Sequence, residues 1–75
     1  MIGMEKKDKI LVKLGKKIAE FRKEKNFSQE ELGFLIRSAR NYIGCIERGE
    51  KSPSMKTLYK IAKALDVKVK DFIDF

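Results

Sequence analysis

The side chains best equipped for chemistry lie between positions 29 and 51: Gln29, Arg37, Ser38, Arg40, Asn41, Tyr42, Cys45, Arg48 and Lys51. They are cations, amides, hydroxyls and one thiol. An arginine fork can clamp guanine O6 and N7, and an asparagine amide can clamp adenine N6 and N7. The catalytic alternatives are poorly supplied. The chain has no histidine, which removes histidine acid–base chemistry, histidine-activated nucleophiles and histidine metal sites. Its single cysteine, Cys45, makes neither an internal disulfide nor a thiolate metal cluster. The expectation is a binding protein without metal or cofactor, not an enzyme.

Charge points to the kind of partner. Eighteen Lys and Arg against eleven Asp and Glu leave a formal net charge of +7 in 75 residues. Such an excess favours a polyanion, nucleic acid before an anionic membrane surface. The excess is uneven: residues 1–25 carry +5, residues 26–53 are neutral, and residues 54–75 carry +2. A neutral middle is no bulk electrostatic anchor, so its binding must come from specific contacts. No apolar run approaches the roughly 20 residues of a membrane span, and Met1 to Lys7 lack the apolar block of a secretory signal. A cytoplasmic location is expected, with no membrane partner.

These side chains need a scaffold, and apolar spacing supplies it. Ile10, Leu11, Leu14, Ile18 and Phe21 recur at helical steps, predicting a first helix from Lys9 to Lys25 with Asp8 as N-cap and Asn26 as a left-handed C-terminal residue. Ser28 with Glu31 forms a capping box opening a second helix, whose buried stripe is Leu32, Leu35 and Ile36. A third helix spans Ala39 to Arg48 and stops at Gly49. Ser54 caps a fourth, Met55 to Leu65, with the stripe Met55, Leu58, Ile61, Ala62 and Leu65. The segment Val69 to Phe75 reads as a fifth short helix, although the alternation over residues 67–70 also fits a strand. The predicted fold is all-α, one domain over residues 1–75, with residues 1–8 a flexible N-terminal extension.

The second and third helices are joined by only Arg37 and Ser38, which is the spacing of a helix-turn-helix. At about 100° per residue, Ile43, Ile46 and Glu47 share the inner face of the third helix. Asn41, Gly44, Cys45 and Arg48 fall outside, with Tyr42 at the edge. A helix packed behind and polar or open in front suits base-edge reading.

The run Ser28-Gln29-Glu30-Glu31-Leu32, followed by Tyr42-Ile43-x-x-Ile46-Glu47-Arg48-Gly49, resembles the Cro/repressor-like, or Xre-type, helix-turn-helix family. Ser52-Pro53-Ser54, Leu58 and residues 61–65 continue the match, which covers residues 14 to 73. The small size and long basic first helix look particularly like the controller proteins of restriction–modification systems. The resemblance implies a five-helix domain that regulates transcription by binding palindromic operator DNA as a homodimer, with helix three in the major groove. It implies base contacts from Arg40, Asn41, Gly44 and Cys45. Phosphate contacts are implied for Gln29, Tyr42, Arg48 and Lys51, and Arg37 and Ser38 in the turn join them. Gln29 would also brace the recognition helix. Three positions depart from the family pattern: Arg37 replaces the turn glycine, Ser38 the apolar turn residue, and Ala39 the Ser/Thr N-cap of helix three. A left-handed Arg37 costs about 1–2 kcal/mol.

Arg22 and Glu47 both point toward the core, where a lone charge is expensive, so they are expected to meet in a bidentate salt bridge. Cys45 reads as a half-exposed residue with ordinary thiol chemistry. Phe34 lies on the outside of helix two; exposed aromatics can mark a partner surface, but an isolated one is more often without consequence. Phe72, Ile73 and Phe75 exceed what a terminal segment needs for one small core; with Leu65, Val67 and Val69 they are expected to cover a dimer interface, the alternative being that they close the monomer's core. The competing class is a protein-interaction module, such as an antitoxin-like partner or a transcription adaptor on the same fold. With no separate ligand domain in the sequence, no small-molecule effector is expected.

Overall fold

A computed structural model describes residues 8–75, so the expected N-terminal extension falls, apart from Asp8, outside the described residues. Five helices follow one another: α1 (Lys9–Glu24), α2 (Gln29–Leu35), α3 (Tyr42–Glu47), α4 (Met55–Leu65) and α5 (Val69–Phe72). No strand occurs among the described residues; Val69 and Lys70 open α5, Val67 and Lys68 precede it, and the helix stops at Phe72, short of the expected Phe75.

The starts of α1, α2 and α4 each have a local cause. Asp8 accepts hydrogen bonds from the amides of Ile10 (2.8 Å) and Leu11 (3.3 Å). Ser28 Oγ accepts from the Glu31 amide (2.9 Å) while Glu31 accepts from the Ser28 amide (2.7 Å), the expected capping box. Ser54 Oγ accepts from the Thr57 amide at 3.1 Å. The ends of α1 to α4 share one closure. Asn26, Arg37, Gly49 and Asp66 all take a left-handed backbone, with φ between 58° and 77°. Behind them, the amides of Phe27, Ser38, Glu50 and Val67 reach back to the carbonyls of Arg22, Gly33, Cys45 and Ala62. This is the Schellman closure, built on glycine only once.

One core results. Ile18, Leu32, Ile43, Ile46, Ile61, Leu65 and Phe72 are almost fully buried, each burial contributing roughly 1.5–3 kcal/mol. Phe21 meets Phe72 edge to face, with ring centroids 5.7 Å apart. Three expectations are corrected. Leu35 is 50% exposed and Met55 67% exposed, so neither belongs to the core. Their helices are amphipathic with narrow apolar stripes, and both residues sit at the margin. Leu65 and Phe72 are spent inside the monomer and have no surface to offer a second copy. In so short a chain, α5 serves chiefly to close the core.

The helix α1 packs on α3 as closely as backbones allow. A Cβ at Gly15 would collide with the carbonyl oxygens of Ile46 and Glu47. Gly15→Ala is therefore expected to destabilise the protein by about 3 kcal/mol, since backbone on both sides must move. Urea unfolding checks this, and an unchanged midpoint would show that the contact is loose.

Candidate nucleic-acid interface

The unit to be positioned is α3, six residues long and too short to hold itself in place. Ile43 and Ile46 anchor its back in the core. Its polar anchor is Glu47. Arg22 of α1 donates from Nε to Glu47 Oε2 (2.6 Å) and from Nη2 to Oε1 (3.1 Å). The pair is shielded, with side chains 10% and 7% exposed, as the inward placement of both residues predicts. Arg22 Nη1 also donates to the Phe27 carbonyl (2.7 Å), holding the loop before α2. Gln29 Nε2, at the start of α2, donates to Glu47 Oε1 at 2.8 Å. One carboxylate thus ties three helices, and no buried side-chain nitrogen or oxygen among the described residues lacks a partner.

The turn differs from expectation in length. Helix three does not begin at Ala39; Ile36 to Asn41 form the connection, and α3 starts at Tyr42. Ala39 has no side-chain oxygen to receive the first free amides, so the chain makes a separate turn, with the Tyr42 amide on the Ala39 carbonyl at 3.2 Å. Arg40 and Asn41 consequently stand ahead of the helix instead of in its first turn. Asn41 has φ 69° and makes no side-chain cap. Arg37 does adopt the left-handed conformation expected of it, at φ 58°. Ser38 Oγ donates within the turn, 3.3 Å from the carbonyls of Gly33 and Ala39.

The outer surface gathers most of the singled-out residues. Gln29, Arg37, Arg40, Asn41, Arg48 and Lys51 are exposed; Ser38, Tyr42 and Cys45 are half-buried. Gln29, Arg40, Asn41 and Gly44 line one open groove of about 790 Å³ beside α2, and Phe34, 83% exposed, stands on its edge. Gly44 is the residue that the structure covers. A Cβ there would lie 3.1 Å from Arg48 Nη1 and 3.2 Å from Gln29 Oε1, so two flexible side chains close over it. The sequence reading missed the partner of Arg48. Glu50 accepts from Arg48 Nε (2.9 Å) and Nη2 (3.2 Å), and Arg48 Nη2 lies 3.6 Å from Cys45 Sγ. The Glu50 carboxylate, by hydrogen bond and charge, raises the arginine pKa further, so Arg48 is always charged. Opposite charges two positions apart across Gly49 were the available signal. Among the described residues, no three His, Cys, Asp or Glu side chains stand together to hold a metal, and no helix is long and apolar enough to cross a membrane.

Comparison with known proteins agrees with this geometry. The model of the helix-turn-helix family HTH_3 matches residues 18–72, and the chain belongs to that family. It is 45% identical over 62 residues to the control protein C.BamHI of Bacillus amyloliquefaciens, covering 81% of this chain and 76% of the relative. The restriction–modification controller protein C.AhdI of Aeromonas hydrophila superposes with a TM-score of 0.79 at 40% identity, over 83% of this chain and 94% of that one. SinR, a master regulator of biofilm formation whose structure was solved in complex with DNA, superposes with a TM-score of 0.76 at 37% identity, over 81% and 98% of the two chains.

Glu47→Ala leaves Arg22 charged and buried, and is expected to destabilise the fold by about 3–5 kcal/mol. Thermal unfolding of Arg22→Ala, Glu47→Ala and the double variant tests the pairing. Coupling well above 0.5 kcal/mol is the expected result, and strict additivity would refute it.

Proposed function

We propose that this protein is a sequence-specific DNA-binding regulator of transcription that acts as a homodimer on a palindromic operator, with α3 entering the major groove. The observation that carries the reading is the Glu47 clamp, which holds a short helix with its apolar side inward and its polar side in the open. A reader of base edges needs that rigidity, because hydrogen bonds to bases tolerate little displacement. Membership of the helix-turn-helix family and likeness to a regulator solved with DNA support it.

In this reading Arg40, Asn41, Gly44 and Cys45 meet base edges, Gly44 lying behind Gln29 and Arg48. Gln29, Arg37, Ser38, Tyr42, Arg48 and Lys51 hold the sugar–phosphate backbone. The work is binding, without catalysis, cofactor or small-molecule effector, and it is done in the cytoplasm where the DNA is. One domain specifies only a few base pairs, too few to single out a site among the ~10⁶ or more competitors in a genome. Two copies related by a two-fold axis double the site and place its halves about 34 Å apart. Val67, Val69, Ile73 and Phe75 remain as the apolar surface for that seam, the last two being 50% and 52% exposed. Exposed Phe34 favours a second reading, a protein-interaction module on the same fold.

Selection from a random duplex pool separates the two readings. Enriched palindromes support the regulator, whereas salt-sensitive binding without enrichment refutes it. On the selected site, Arg40→Ala and Asn41→Ala are each expected to lose about 1–3 kcal/mol of discrimination at particular base pairs, with stability almost unchanged. Equal losses on selected and scrambled DNA would reassign both residues to the backbone.

A further inference from the structure

We infer that Arg48 reads a base edge, in place of the phosphate contact that the resemblance implies, and that Glu50 is the positioning residue that aims it. The inference rests on the DNA-binding reading above and adds to it a determinant of specificity. Arg48 follows the last residue of α3, yet its guanidinium does not reach outward from that end. It lies back along the outer face, with Nη1 3.1 Å from the place a Cβ on Gly44 would take and Nη2 3.6 Å from Cys45 Sγ. A side chain on residue 44 would crowd it, so the glycine supplies the space that the arginine occupies. The guanidinium thus stands over Gly44 and Cys45, the part of α3 that faces base edges in that reading, and not on its flank.

Glu50 takes one edge of the fork and leaves the other. Its carboxylate accepts from Nε (2.9 Å) and Nη2 (3.2 Å), the side edge of the guanidinium. The end edge, Nη1 with the second Nη2 proton, has only the Cys45 sulfur before it, a weak acceptor that a better one displaces. Two parallel N–H groups on that edge match guanine O6 and N7. Charge separates the two acceptors that an arginine could take there. A phosphate would bring a second anion up to the Glu50 carboxylate, and the two would repel; guanine offers neutral acceptors and incurs no such repulsion. Among the described residues, Arg37, Arg40 and Lys51 on the same face are in no salt bridge, whereas Arg48 is braced. The brace is weak in water, but a docked duplex excludes water from around it and strengthens the hold.

Fluorescence anisotropy of the full chain tests the assignment, against the selected duplex and a panel in which each G·C pair is replaced in turn. Arg48→Lys keeps the charge and removes the planar fork. It is expected to lose about tenfold or more in discrimination at one G·C pair of each half-site, with the other positions unchanged. Glu50→Gln is expected to lower discrimination severalfold at that same pair, and the double variant to lose no more there than Arg48→Lys alone. Both side chains are exposed, so the variants keep their fold, which circular dichroism verifies. A phosphate contact predicts a different pattern: Arg48→Lys changes binding to selected and scrambled duplexes alike, and Glu50→Gln, by releasing the arginine, tightens both. That result overturns the inference and leaves the DNA-binding reading standing. Discrimination that falls with Arg48→Lys but not with Glu50→Gln overturns the positioning role of Glu50. A pool that yields no selected duplex overturns the DNA-binding reading and this inference with it.

Discussion

The interaction on which the rest depends is the shielded bond between Arg22 and Glu47. It spans 25 positions in sequence and joins the longest helix, α1, to the six-residue α3. A buried ion pair is a doubtful source of stability, because desolvating two charges offsets most of their attraction. Here every strong valence is used: the arginine also holds the Phe27 carbonyl, and the carboxylate also holds Gln29. What such an arrangement provides is direction. Apolar contacts at Ile43 and Ile46 press α3 against the core, but they permit it to roll. A bidentate fork from one side and an amide from another do not. Gly15 completes the constraint by letting the α1 backbone come against the end of α3, close enough for the arginine to reach.

The connections show a second economy. Four helices in succession end in a left-handed residue with the same backward hydrogen bonds, yet only Gly49 lacks the Cβ that makes such a residue costly. Asn26 and Asp66 are tolerable there, while Arg37 carries the full steric cost of about 1–2 kcal/mol. The Ser38 bond to the Gly33 carbonyl shows what holds Arg37 in place. The turn is closed on both sides, so the strain cannot relax without opening the end of α2. Asn41 repeats the situation four residues later. Two non-glycine residues with positive φ flank Arg40, at the entrance to the candidate interface, where strained backbone tends to accumulate in binding sites.

Much of this was legible in the sequence, and the failures have identifiable causes. Helical periodicity located all five elements, and cap chemistry placed the starts at Asp8, Ser28 and Ser54, because those signals act within four residues. Wheel geometry was enough to bring Arg22 and Glu47 together, since both violate the apolar face on which they lie. The same wheel failed for Leu35 and Met55. Periodicity says which side of a helix faces inward, not how wide the covering neighbour is. The wheel placed Leu65 correctly in the stripe of α4, and it was the interface assignment of Leu65 and Phe72 that failed, because apolar surplus in a short sequence does not reveal how much a single core consumes. The start of α3 was misjudged because Ala39 was read as a poor cap, when a missing cap shortens the helix. Glu50 escaped notice because its pairing with Arg48 is made across Gly49, outside any helical register.

The pairing of charges also changes what the neutrality of residues 26–53 means. Formal counting sets four cations against four acids there. In space, Glu47 is spent on Arg22, which comes from α1, and Glu31 is turned back onto the Ser28 amide. Glu50 lies against Arg48 in an exposed pair, 43% and 52% open, whose strength is of the order of 0–1 kcal/mol and falls with salt. That leaves Glu30 and Glu31 to oppose Arg37, Arg40 and Lys51. The face is therefore positive although its segment is neutral. Its field is short in range, because a Debye length of about 8 Å at physiological salt confines it to the immediate surface. The lysines of α1, Lys9, Lys13, Lys16, Lys17 and Lys23, add cations that are screened over the same distance. Most of the net charge therefore belongs to a different element from the one that carries the side chains able to tell one partner from another.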